Sequence, residues 1–189
     1  VVKMTETNLD EIDAIAIAKG PGSFTGLRIG SATAKGLGLA LNKPIVAVPT
    51  VDAIAYNLYE TKGYICPIMD ARRNQVYTGT YRWEEDQFQV IEEQCARGIE
   101  ETVDAVNQLG EAVIFLGDGV PVYKEIIKEK IQVPVSFAPA HVSRQRAGAV
   151  GSLAMKYYQQ GEIQSARDHG PEYLRKSQAE REREERNAR

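Results

Sequence analysis

Few residues in this chain have the types and spacing that chemistry requires. A metal centre needs converging ligands, with histidine the commonest. Only His141 and His169 occur, far apart in sequence, and neither H-x-x-x-H nor H-E-x-x-H is present. Cys66 and Cys95 have no metal-site or disulfide spacing and no evident partner to lower a thiol pKa. Ser23 lies in G-P-G-S-F-T-G, which departs from the hydrolase elbow G-x-S-x-G, with glycine directly before the serine and Thr25 at the last glycine position. The most polar cluster is Asp70, Arg72 and Arg73 beside a strand end. An arginine there could clamp a carboxylate or phosphate through two parallel hydrogen bonds, or the group could be a salt-bridged hairpin turn. Gly117-Asp118-Gly119 could cradle phosphate, but a strand-to-helix turn needs glycine for geometry alone, and that reading is preferred.

The richest stretch is AKGPGSFTGLRIGSATAKGLGLAL, residues 18–41. A strand over 12–18 runs into a glycine-rich turn, and a helix follows with Thr25 as its expected N-cap. The turn fits neither the Walker pattern nor G-x-G-x-x-G, although a helix N-terminus can bind anions generically. Gly26, Gly30, Ala34 and Gly38 recur every fourth residue and read as one stripe. Each interior glycine costs a helix roughly 1 kcal/mol relative to alanine. Such residues make sense where another backbone comes close, so the stripe reads as a contact surface. The competing reading is that it packs the helix on its own sheet.

The elements that position these residues alternate regularly. A strand over 45–48 precedes a helix over 51–60 capped by Thr50, and Gly63 ends it. Strands over 64–71, 75–83 and 87–92 form a meander. A helix over 99–109, a strand over 112–116, a helix over 121–130, a strand over 133–137 and a helix over 143–160, capped by Ser143, follow. Three antiparallel strands followed by helix, strand, helix, strand, helix is the ribonuclease-H-like unit of the actin-like ATPase superfamily. The expected fold is therefore α/β with two tandem domains. Residues 1–62 are read as the end of a first domain whose opening strands and helix are missing, 63–161 as a complete second domain, and 162–189 as a tail.

The chain's formal charge of −3 and pI near 5.6 argue against a protein that holds nucleic acid alone on a broad basic face. No apolar run reaches membrane-spanning length and no signal peptide opens the chain, so the cytoplasm is the expected compartment. From Arg175 the sequence RKSQAEREREERNAR has almost nothing to bury; Arg181 with Glu185 and Glu182 with Arg186 stand four apart.

GPGSFTGLRIGSATAKGLGLAL, DARRNQVYTGTY and the late PEYLR closely resemble the bacterial TsaB (YeaZ) family, in order and over nearly the whole chain. The resemblance implies a non-catalytic subunit with the fold of the catalytic TsaD but without its metal-binding histidines, and no cofactor. It implies pairing with TsaD, with TsaE in the larger complex, to support threonylcarbamoylation of the adenosine beside the tRNA anticodon. Contact with tRNA comes through the complex, no membrane is involved, and a homodimer forms through the same surface when TsaD is absent. Pairing in the family uses the helix matching 26–41. The expected interface is then Phe24, Gly26, Leu27, Arg28, Ile29, Gly30, Thr33, Ala34, Leu37 and Gly38. Arg28 would hold a partner carboxylate or the turn itself, and Gly30→Leu would block pairing without harming the fold. A glycoprotease-like peptidase and a kinase-like ATP-binding enzyme are the alternatives.

Overall fold

The computed structural model describes residues 2–175; the Arg181–Glu185 and Glu182–Arg186 pairs lie outside the described residues. A single helical turn, α1 (Val2–Thr5), and a 3-10 turn (Leu9–Glu11) lead into β1 (Ile15–Gly20). The strand starts later than its apolar run suggests, because the Ile12 amide still donates to the Leu9 carbonyl and closes the turn. The order continues α2 (Phe24–Leu41), β2 (Ile45–Pro49), α3 (Thr50–Ala55), β3 (Tyr64–Asp70), β4 (Gln75–Glu84), β5 (Gln87–Gly98), α4 (Ile99–Gln108), β6 (Val113–Leu116), α5 (Val120–Lys130), β7 (Val135–Phe137) and α6 (Ala147–Gln159).

β1 and β2 pair in parallel as a small sheet, and the other five strands form a second sheet in the order β5-β4-β3-β6-β7. β5, β4 and β3 are antiparallel, while β3, β6 and β7 are parallel, as the meander followed by crossover helices requires. The layers run α4 with α5, the five-stranded sheet, α3 with α6, the β1–β2 sheet, and α2 outermost. Alternation along β3 feeds two cores. Cys66 and Ile68 face Val103, Val106 and Ile127 of the outer helices, and Ile65 and Met69 face Val51 and Ile54 of α3. All six residues of α3 are buried, since that helix lies between the two sheets.

Three caps differ from expectation. α2 is capped by Ser23, not Thr25: the Ser23 Oγ accepts from the Gly26 amide (3.3 Å) and helical geometry begins at Phe24. Thr50 is the first residue of α3 rather than its cap, and its hydroxyl is buried without a partner. α3 ends at Ala55 instead of residue 60, because the Asn57 and Leu58 amides reach back three residues and tighten the chain into turns. Ser143 is drawn away from α6: its carbonyl (2.7 Å) and Oγ (3.2 Å) both accept from the Gly117 amide, and the helix starts only at Ala147. β5 outruns its expected 87–92 because its polar residues are paired; Arg97 grips Glu92 through both guanidinium nitrogens (2.6 and 2.8 Å).

Candidate docking site

α2 carries no acidic residue and only two charges, Arg28 and Lys35. Both are engaged by the chain itself. Lys35 Nζ donates to the carbonyls of Arg167 (2.9 Å) and His169 (2.8 Å). Arg28 lies over the Phe24 ring (4.1 Å) and donates from Nε to the Tyr173 hydroxyl (3.2 Å), while the Phe24 and Tyr173 rings stack at 4.7 Å. Arg28 is thus engaged by Phe24 and Tyr173 of its own chain.

The fourfold spacing of small residues does not make one stripe. At 3.6 residues per turn a step of four advances about 40° around the helix, so four positions wind about 120°. Gly26 is exposed at one end of that drift, and Ala34 and Gly38 are buried at the other. Ala34 packs with Ile45 and Ala166; a Cβ on Gly38 would lie 2.8 Å from the Ala166 Cβ and 3.0 Å from the Lys43 carbonyl oxygen. A Cβ on Gly30 would sit 3.5 Å from Ile17 Cδ1, in ordinary van der Waals contact, so Gly30 faces β1 and not the outer face. Leu27 also turns inward and covers the Gly20–Gly22 turn. The inner half of the stripe packs the helix on its own sheet.

The outer face consists of Thr25, Ile29, Ala32, Thr33, Gly36, Leu37 and Ala40. Ile29 is 63% exposed, Leu37 45% and neighbouring Leu39 61%. The Thr33 hydroxyl donates to the Ile29 carbonyl (2.9 Å), so even this polar group is satisfied within the helix. Ala32, Gly36 and Ala40 form a second small-residue row, and a Cβ on Gly36 would meet nothing within 4 Å. That row escapes a reading that follows glycines alone; advancing the sequence by 100° per residue reveals it.

The three quoted segments converge beside this face. The Glu172 amide donates to the Lys19 carbonyl (2.7 Å), Lys19 Nζ pairs with the Glu172 carboxylate (2.9 Å), and Arg175 Nη1 donates to the Ala71 carbonyl (2.8 Å). Asp70 Oδ1 accepts from the Arg72 amide (2.8 Å) and the Tyr123 hydroxyl (2.9 Å). Burial, then the Asp70 carboxylate, push the Tyr123 hydroxyl up to about 12, so it stays a donor. Arg72, Arg73 and Asn74 all have positive φ, and both arginines are exposed.

A family model described as TsaD: tRNA N6-adenosine threonylcarbamoyltransferase matches residues 1–183. The Bacillus subtilis tRNA threonylcarbamoyladenosine biosynthesis protein TsaB is 34% identical over 173 residues, spanning 90% of this chain and 72% of the relative. The chain belongs to the TsaB family. The Escherichia coli TsaB protein is 29% identical over 95% of the chain and 78% of its own length. Among solved structures, YeaZ from Pseudomonas aeruginosa superposes with a TM-score of 0.74 at 25% identity, covering 92% of this chain and 80% of that one. Another Pseudomonas aeruginosa structure, described by its similarity to peptidase YeaZ, gives 0.73. The α/β architecture is thus the actin-like, ribonuclease-H-like fold that TsaB and TsaD proteins share, and the chain is a member of a family named for tRNA threonylcarbamoyladenosine biosynthesis.

Several of the groups singled out for other chemistries have structural roles in this TsaB-family chain. Ser23 caps α2. Gly117 has φ +107°, a Cβ there would collide with the Ile68 carbonyl oxygen, and Gly119 donates to that same oxygen (3.0 Å), so β3 backbone lies against the turn. Burial pushes the Cys66 thiol up to about 12. No group of three metal-ligating side chains occurs among the described residues. No helix among them is long and apolar enough to cross a membrane. The most deeply buried carboxylate among the described residues, Asp52, accepts from the Tyr81 (2.7 Å) and Tyr157 (3.3 Å) hydroxyls; burial raises its pKa, and both tyrosines are raised as well. This trio ties α3 to β4 and α6, inside the joint between the sheets.

Proposed function

We propose that this chain serves tRNA threonylcarbamoyladenosine biosynthesis as a docking subunit without chemistry of its own. Its partner is a TsaD-type transferase, seated on the outer face of α2. TsaE and tRNA join through the larger complex, and a second copy takes the same face when TsaD is absent. One observation carries the reading: the outer face of α2 has no charge of its own, two threonines of which Thr33 already spends its hydroxyl within the helix, and large aliphatic side chains in the open. Uncharged apolar surface of that kind marks an interaction site. The central row of Ala32, Gly36 and Ala40 lets an opposing helix approach, and Ile29 and Leu37 contribute burial on either side. The exposed Arg72 and Arg73 are candidates for a carboxylate or phosphate of the assembled complex.

The test is the double variant Ile29→Asp with Leu37→Asp, co-purified with TsaD of the same organism. Both side chains are on the solvent side, so the melting temperature should change by no more than a few degrees. Affinity for TsaD should fall at least thirtyfold, the scale of losing central apolar anchors, roughly 2 kcal/mol. A folded double variant that pairs like wild type removes this face as the docking site.

A further inference from the structure

Residues 172–175 touch three elements within four positions. Glu172 is bound to β1 through its amide on the Lys19 carbonyl and its carboxylate on Lys19 Nζ. Gly20 can carry no side chain, because a Cβ would collide with the Glu172 carbonyl oxygen. Tyr173 covers the first turn of α2, stacked on Phe24 and accepting from Arg28. Arg175 reaches the β3–β4 turn at Ala71, next to Arg72 and Arg73. Gln94 of β5 strengthens the seam by donating to the Gly20 carbonyl (3.1 Å) and the Glu172 carboxylate (3.4 Å).

Besides Leu27, which covers the Gly20–Gly22 turn, the first turn of α2 has little else to hold it. Its side-chain cap is a single 3.3 Å bond from Ser23, and it has no acidic residue to complement the helix dipole. Helix ends with weak caps open locally at low free-energy cost. Without Tyr173, Phe24 loses the ring stacked on it and Arg28 loses its acceptor. Ile29, on the docking face, is one turn further along.

We propose that residues 172–175 form a strap that fixes the N-terminal end of α2, so that Tyr173 and Arg175 are positioning residues for docking although neither lies on the docking face. The strap couples that face to the turn carrying Arg72 and Arg73: loss of the Arg175 contact at Ala71 loosens Tyr173 on α2. The proposal rests on the docking reading above for its consequence, but the coupling itself is a property of the free protein.

The experiment is residue-resolved hydrogen exchange on the full chain, paired with affinity for TsaD, in Tyr173→Ala, Tyr173→Phe and Arg175→Ala. Exchange of the amides at 27–30 should rise about tenfold in Tyr173→Ala and Arg175→Ala and stay near wild type in Tyr173→Phe, which keeps the stacked ring. The amides of β6 should not change, showing that global stability is intact. Affinity should fall about tenfold in the same two variants. Unchanged exchange at 27–30 in Arg175→Ala overturns the strap. Raised exchange with wild-type affinity overturns the positioning role. Raised exchange in a protein whose wild type ignores TsaD supports the strap and overturns the docking reading instead.

Discussion

The two faces of α2 use the same small residues for opposite ends. On the inner face, Ser31, Ala34 and Gly38 bring the helix axis close to β1, β2 and the Ala166 segment. Smallness there is a fit already made. On the outer face, Ala32, Gly36 and Ala40 have open space over them, and smallness is room left free. The difference shows that a glycine's meaning lies in its angle around the helix. Substitutions that look alike in sequence should therefore separate into two classes, one read in stability and the other in pairing.

The largest effect is expected on the inner face. Gly38→Leu drives side-chain atoms into Ala166 and the Lys43 carbonyl and should cost about 3 kcal/mol in denaturant unfolding. A stability near wild type would mean the inner packing is looser than these distances state. A smaller, pH-dependent effect belongs to His169, which is 2% exposed, with Nδ1 against Gln164 Oε1 (3.1 Å) and Nε2 buried without a partner. Burial, then the nearby Lys35 charge, lower its pKa. The unfolded chain thus binds the proton more readily than the folded one. Stability is at its full value above the ordinary histidine pKa of about 6.5 and declines as pH falls through it. Urea titrations at pH 7.5 and 5.5 should show that decline and find it flattened in His169→Gln. The smallest effect is on the outer face: Gly36→Ala should gain up to about 1 kcal/mol of stability, because its methyl meets nothing. The same methyl should weaken pairing several-fold in a binding titration, and a gain in both would show that no backbone comes close at that point.

Much of this architecture is legible from periodicity. The strand-and-helix order and the meander follow from patterns of two and 3.6 and from turn residues; Gly63, read as the end of the helix over 51–60, instead has positive φ directly before β3. What escaped detection depends on partners remote in sequence. Ser143 looks like a cap until Gly117 claims its oxygens, 26 residues away. β5 looks too polar to continue until Arg97 and Glu92 are seen to neutralise each other. On α2, Ile29, Thr33 and Leu37 are legible as surface candidates, and the structure keeps them outside. Ala34 and Gly38 pack against the chain itself because a step of four winds around the helix, and Leu27 covers the Gly20–Gly22 turn. The meeting of Tyr173 with Phe24 and Arg28 spans some 145 positions and has no local signal at all.

The burial of α3 on every side has a consequence for how the molecule comes apart. Val51, Ile54 and Ala55 belong to the core of the five-stranded sheet, and Ala53 belongs to the core of β2 and α6. Asp52 ties the same short helix to Tyr81 on one side and Tyr157 on the other. Neither sheet can release α3 without exposing apolar surface on both, so a single melting transition is expected for the two in calorimetry. Cleavage near residue 62, between the two sheets in sequence, would leave fragments that each lack a wall of their own core. The two sheets are successive along the chain but share one buried helix between them.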